Sequence, residues 1–159
     1  MFKRVLVPVD GSQPSMHAIA AAREVTDPRS GTVLLVTVVE PGVLALHQPY
    51  VAGLNPYEAN VPPAIIPKLS RDRTFQAAEL LVLKGQEILT SAGIRSEGKV
   101  LSGSPVDQIL AEANRWPAEI IVIGSHGLGG VSRLILGSVS SKVLERAQVP
   151  VLIVKRGGA

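Results

Sequence analysis

The sequence predicts an α/β fold, a parallel β-sheet covered by helices on both of its faces. Three observations carry this expectation. Four short runs, Val5–Val9, Gly31–Val39, Ile120–Ile123 and Val149–Val154, are almost continuously apolar and rich in β-branched residues. Strands buried on both faces read this way, whereas half-exposed strands alternate. Segments of helical periodicity separate these runs, as parallel neighbours require. The breaks also carry the serine, glycine and proline that helix ends demand.

Taken in order, Val5–Val9 is the first strand. Ser12 caps the helix that follows, with Pro14 in its first turn and the alanine-rich Ala18–Ala22 in its body. Gly31–Val39 is the second strand. A long helix is expected from about Leu69 to Ala92, with Phe75, Ala78, Val82 and Leu89 along its buried stripe and Gly93 as its stop. Arg95–Leu101 carries Glu97 and Lys99 and suits a polar edge strand. Ser104, Pro105 and Asp107 form a helix start, and Val106, Ile109, Leu110 and Ala113 mark one helical face. Ile120–Ile123 runs into a glycine-rich loop, Gly137-Ser138 opens an amphipathic helix, and Val149–Val154 closes the order.

Residues 41–68 interrupt this regularity. Pro41, Pro49, Pro56, Pro62, Pro63 and Pro67 are expected to break any regular element there. The stretch far exceeds the ~2–6 residues usual for connections in α/β units. Two readings stand: a tolerated surface insertion, or a lid or partner-binding loop rooted where the second strand ends.

The 159 residues read as one domain, 1–159, with no internal repeat. With 46% hydrophobic and 18% charged residues the chain is built to fold. The absence of cysteine excludes disulfides, thiolate catalysis and cysteine-held zinc. The net charge of +3 is scattered and only 3% of residues are aromatic, which argues against a nucleic-acid partner. Five residues separate the Lys3-Arg4 pair from Asp10, too few for a signal-peptide core, and no run reaches membrane-spanning length. A soluble cytoplasmic protein with no membrane partner is the expectation.

The chemistry concentrates near the C-terminus. Gly124 and Gly127, nine intervening residues, then Gly137 and Ser138 surround a strand end and a helix start. Glycines permit close backbone approach, and the first amides of a helix are unpaired donors at its positive end, so the pattern suits a phosphate. A glycine-rich turn needed only for packing is the competing reading. There is no Walker A motif, and no GxGxxG follows the first strand.

These residues resemble the universal stress protein family, and specifically its ATP-binding branch, marked by G-x2-G-x9-G-[ST]. The likeness spans nearly the whole chain: Met1–Ser12, ending in Val-Asp-Gly-Ser, resembles the opening strand, Gly31–Glu40 the second, and Val149–Lys155 the last. Only the 41–68 insertion has no counterpart. The resemblance implies a doubly wound, Rossmann-like sheet of five parallel strands in the order 3-2-1-4-5. It implies an adenine nucleotide, with Pro8, Val9, Asp10 and Val38 beside the base and sugar. Gly124, Gly127, Gly137, Ser138, Val139 and Ser140 fall at the phosphates. His126 inside the loop and Arg133 among the nine intervening residues are further phosphate candidates by their own chemistry, each against a plain surface reading as a solvent-facing imidazole and an isolated arginine. The bound species would be ATP, with Mg²⁺ a possible companion. It also implies a homodimer through the last strand, 149–154, whose apolar faces would otherwise lie at a sheet edge.

Asp10 suits ribose hydroxyls chemically, although an aspartate before Gly11-Ser12 equally suits capping its own turn. Catalysis has little support. Ser125-His126 is not a nucleophile elbow, because that motif needs glycine where Ile123 stands. His17 and His47 have no ligand partners at metal spacing, and Asp10 alone makes a weak Mg²⁺ site. No further base is placed to activate water. The expected function is that of an ATP-binding, stress-linked regulatory protein. The alternative is a slow ATPase, or an enzyme or sensor using another adenine nucleotide such as a cyclic one.

Overall fold

A computed structural model describes residues 1–41, 66–126 and 136–155, with only the backbone described for 66–70. The elements are β1 (Arg4–Pro8), α1 (Gln13–Val25), β2 (Thr32–Val39), α2 (Ile66–Ser91), β3 (Arg95–Ser102), α3 (Pro105–Arg115), β4 (Ile120–Gly124), α4 (Ser138–Arg146) and β5 (Val151–Val154). The five strands form one parallel sheet in the order β3-β2-β1-β4-β5. The expected fold and strand order are therefore the observed ones.

Alternation along each strand divides the core in two. Val5, Val7, Val33, Leu35 and Val122 face α1 and α2, packing on Ala18, Ile19, Ala22 and Leu89. Leu6, Leu34, Val36, Ile121 and Ile123 face α3 and α4, packing on Val106, Ile109, Ala113 and Val143. Both faces of the central strands are dry, which is why their sequences lack polar alternation. Full burial of a side chain such as Leu34 or Leu35 contributes about 1.5–3 kcal/mol relative to exposure.

The helix ends follow local chemistry, with two differences from expectation. Ser12 caps α1, its Oγ accepting from the Ser15 amide at 3.3 Å. Gly93 ends the α2 segment at φ +75°, a left-handed turn that suits glycine. Ser104 occupies the capping position of α3 but makes no side-chain bond to a helix amide. Asp107 instead pairs with Arg146 of α4 at 3.0 Å. That bond first, and the Ser104 side chain second, hold its carboxyl below the usual carboxylate range. The second difference is Pro67. It does not break structure, because it lies in the first turn of α2, where a missing N–H removes no helical bond. Most of the 41–68 insertion, 42–65, lies outside the described residues, so its two readings stay where the sequence left them.

Glu112 is the conspicuous buried charge. Its side chain is wholly inaccessible, with Lys99 of β3 at 2.7 Å from one oxygen and Arg115 on the other. The two cations stay partly in water, so the triad fastens edge strand β3 to α3 while only the carboxylate is fully desolvated. Asymmetric burial fixes the outcome of substitution. Replacing both Lys99 and Arg115 by methionine strands a buried carboxylate and should cost about 3–5 kcal/mol in urea unfolding, whereas Glu112→Leu should be close to neutral. Equal losses for the two variants would refute this account of the triad.

Candidate nucleotide site

β1 and β4 are neighbours in the sheet, but the chain leaves β1 for α1 on one face and β4 for α4 on the other. Such a divergence leaves a crevice beyond the carboxyl ends of the two strands. Here the crevice is a cleft of about 450 Å³. Pro8, Val9 and Asp10 line it from β1, Val36, Val38 and Glu40 from β2, and Ser15 from α1. Pro105 and Ile109 contribute from α3, Ile123, Gly124 and His126 from β4 and its turn, and Gly137, Ser138, Val139 and Ser140 from the start of α4.

Every site residue inferred from the sequence except Gly127 and Arg133 thus lines one cleft. Gly127 and Arg133 lie outside the described residues. Sequence reasoning missed Ser15, Val36, Glu40, Pro105, Ile109 and Ile123 as lining residues. Pro105 and Ile109 were visible only as a helix start and a buried face, since periodicity does not show which end of a helix meets a cleft.

Hydrogen bonds weld the cleft floor. Asp10 Oδ1 accepts from the Ser12 amide at 3.0 Å, and the Asp10 amide donates to Ser15 Oγ at 3.4 Å. One carboxylate oxygen thus caps its own turn, as one reading held. No bond from a described residue reaches the other oxygen. Ser15 Oγ donates to the Ser12 carbonyl at 2.9 Å, and Ser12 Oγ reaches the His126 carbonyl at 3.5 Å, joining the α1 start to the turn after β4. Thr37 Oγ1 donates to the Val9 carbonyl at 3.0 Å and holds the end of β1 to β2.

Across the cleft, the Gly137 amide donates to the Ser125 carbonyl at 2.7 Å, and Ser140 Oγ donates to the same oxygen at 2.9 Å. The Gly137 amide and the Ser140 hydroxyl, both at positions expected near phosphate, are thereby used inside the protein. What remains is the first turn of α4. The Ser141 amide takes the Gly137 carbonyl, so the amides of Ser138, Val139 and Ser140 precede the first i→i−4 bond. Ser138 is exposed, and its hydroxyl bonds no described residue. The chargeable groups among the described lining residues are Asp10, Glu40 and His126, with no lysine or arginine.

Two glycines have structural reasons that spacing alone did not reveal. A Cβ on Gly124 would lie 2.7 Å from the Pro14 carbonyl carbon, so its role is to let β4 pass against the first turn of α1. A Cβ on Gly137 would lie 3.1 Å from His126 Cα and 3.3 Å from Ser140 Oγ, so its bare face meets the turn after β4. The packing reading of these glycines and the phosphate reading of the loop are therefore compatible. Gly137→Val should lower thermal stability even without ligand, by about 1–3 kcal/mol, because the branched side chain presses on the 126 backbone. An unchanged melting temperature would show that the turn yields without cost.

Comparison with known proteins follows the same outline. The model of the universal stress protein family matches residues 1–155. A universal stress protein from the QAH/OAS sulfhydrylase 3′ region of Thermus aquaticus is 33% identical, over 98% of this chain and 100% of the relative. The stress response protein NhaX of Bacillus subtilis is 29% identical, over 96% and 97%. Among solved structures, hypothetical protein MJ0577 superposes with a TM-score of 0.82 at 21% identity, covering 100% of this chain and 99% of its own. A universal stress protein in complex with cAMP gives 0.63 at 23% identity, with 97% of each chain covered. One from Archaeoglobus fulgidus in complex with dAMP gives 0.64 at 21% identity, with 98% of each covered. At these identities the structural likeness is one of fold, while the family match and the Thermus relative concern the sequence over nearly its whole length: the chain belongs to the universal stress protein family.

Proposed function

We propose that the cleft binds an adenine nucleotide and that occupancy serves as a regulatory signal in a stress response. The observation that carries this reading is the meeting, in one cleft, of unpaired first-turn amides of α4 with the Asp10 carboxylate and the apolar walls Val38 and Ile109. Amides at the positive end of a helix suit phosphate oxygens, a carboxylate suits sugar hydroxyls, and apolar walls suit a base. Complexes of related folds with cAMP and with dAMP support an adenine mononucleotide. ATP is the finer reading, resting on the glycine spacing and on Ser138. Its Mg²⁺ would arrive with the phosphates, since no group of three His, Asp or Glu side chains suited to a metal exists among the described residues.

Turnover is not expected to be the purpose of the site. Asp10 turns one oxygen to its own backbone, and His126, the one imidazole among the described lining residues, has the Ser125 hydroxyl rather than a carboxylate at its Nδ1. Slow hydrolysis is compatible with this; rapid hydrolysis is not. Calorimetric titration with ATP, AMP and cAMP, joined to single-turnover phosphate release, tests the reading. Asp10→Ala should weaken every ligand that carries free ribose hydroxyls by about ten- to a hundredfold, the loss typical of a hydrogen bond to a charged group. Binding of none of the three would overturn the assignment, and turnover above about one per second would make the protein an enzyme.

A second copy of the chain is the proposed protein partner. Among the described residues β5 pairs only with β4, its residues Val151–Val154 are half-buried, and Leu144 on neighbouring α4 is 46% exposed. An apolar edge of this kind favours pairing across a two-fold axis. No helix among the described residues is long and apolar enough to cross a membrane. Light scattering at micromolar concentration should give twice the chain mass, and Ile153→Lys should return it to the single value. A monomer mass for the parent protein would remove this partner.

A further inference from the structure

Ser125 and His126 form a pair that the proposed function leaves unused. Ser125 is almost wholly buried, with 6% of its surface accessible, and its Oγ lies 3.0 Å from His126 Nδ1. A buried hydroxyl hydrogen needs an acceptor, and Nδ1 is the acceptor within reach among the described residues. A hydroxyl donating to Nδ1 puts the ring proton on Nε2. The ring therefore keeps an N–H donor on the atom that has no protein partner among the described residues, at a residue that lines the cleft.

The electrostatic setting gives that donor weight. Asp10 and Glu40 share the cleft and are both acidic. On the elements packed around the turn, α1 carries His17, Arg23 and Glu24, α4 carries Lys142, Glu145 and Arg146, and Lys155 follows β5, none of them lining the cleft. His126 is thus the one described lining residue able to become a cation. Adding a proton at Nδ1 reverses the Ser125 bond and leaves the hydroxyl hydrogen without its acceptor. An anionic oxygen at Nε2 offsets that cost, because a charged donor bonds an anion about twice as strongly as a neutral one. Protonation and phosphate binding then favour one another, as linked equilibria must.

We propose that His126, positioned by the Ser125 hydroxyl, takes up a proton when a phosphorylated ligand enters the cleft and so grades affinity by phosphate charge. This inference rests on the nucleotide reading of the cleft. ATP, with the larger charge, should gain more affinity than cAMP as the pH falls from 8 to 6. Ser125 is a positioning residue, since it acts only through the ring.

The test is calorimetry of ATP and cAMP binding at pH 6, 7 and 8, in two buffers of different ionisation heat, so that protons taken up are counted. The parent protein should take up a substantial fraction of a proton more with ATP than His126→Gln does, and the difference removes the ligand's own protonation. His126→Gln should lose about tenfold in ATP affinity at pH 6 and little at pH 8. Ser125→Ala should keep proton uptake but show mixed ring tautomers in its ¹⁵N spectrum, where the parent shows the Nε2–H form. Identical proton uptake in the parent and His126→Gln would overturn the proposal while leaving nucleotide binding intact. An absence of binding heat in both proteins at every pH would overturn the nucleotide reading itself, and this inference with it.

Discussion

Two parallel strands that lie side by side but send their chains to opposite faces cannot both be roofed by their own connections. β1 and β4 are that pair, and the rest of the C-terminal edge of the sheet is arranged around the gap between them. The gap brings residues near position 10 beside residues near 125 and 137, although more than a hundred positions separate the first from the last. Strand order alone does this. The dry core on both faces then makes the arrangement rigid, because β1, β2 and β4 cannot shift register without moving a whole row of side chains to the other layer.

The cleft itself is tied together by local polar contacts. Ser12, Ser15 and Thr37 tie the end of β1 to α1, to β2 and to the turn at 126. Ser140 and the Gly137 amide converge on one carbonyl, that of Ser125. Small hydroxyl side chains satisfy buried backbone groups at little cost in side-chain entropy. The start of α4 is thereby held in place while its first-turn amides stay open toward the cleft. At the β3 edge of the sheet, the Glu112 triad performs a similar fastening with charge, locking the polar edge strand to the helix whose N-terminal end supplies Pro105 and Ile109.

The sequence was most legible where one physical demand dominates. Strands buried on both faces have almost no alternative to β-branched runs, so Val5, Ile121 and their neighbours announced the sheet. It was less legible where one residue type serves several demands. Proline reads as a breaker, yet Pro67 sits in a helix's first turn, the one helical place that tolerates it freely. Glycine reads as a phosphate contact, yet Gly124 and Gly137 are bare because Pro14 and His126 lie against them. Ser104 reads as a cap, but its partner Asp107 is drawn to Arg146, 39 positions away in the chain, and no local pattern contains that contact. The site residues missed at first, Ser15, Ile109 and Glu40 among them, have ordinary local roles as well and enter the cleft only through tertiary placement.

Recognition by backbone dipoles, the mode proposed for this cleft, would govern how it discriminates among ligands. Fixed cations would hold any polyanion and would weaken steeply with salt. The described lining offers none, and its two carboxylates oppose excess negative charge. Oriented amides act only over the first turn of the helix, so they reward an oxygen placed at the start of α4 and ignore charge elsewhere. Selectivity then falls to shape, through the apolar walls and Asp10, and to whatever positive charge the site can raise on demand. An imidazole beside the helix start is the proposed source of such charge, because a ring nitrogen can gain a proton and a backbone amide cannot.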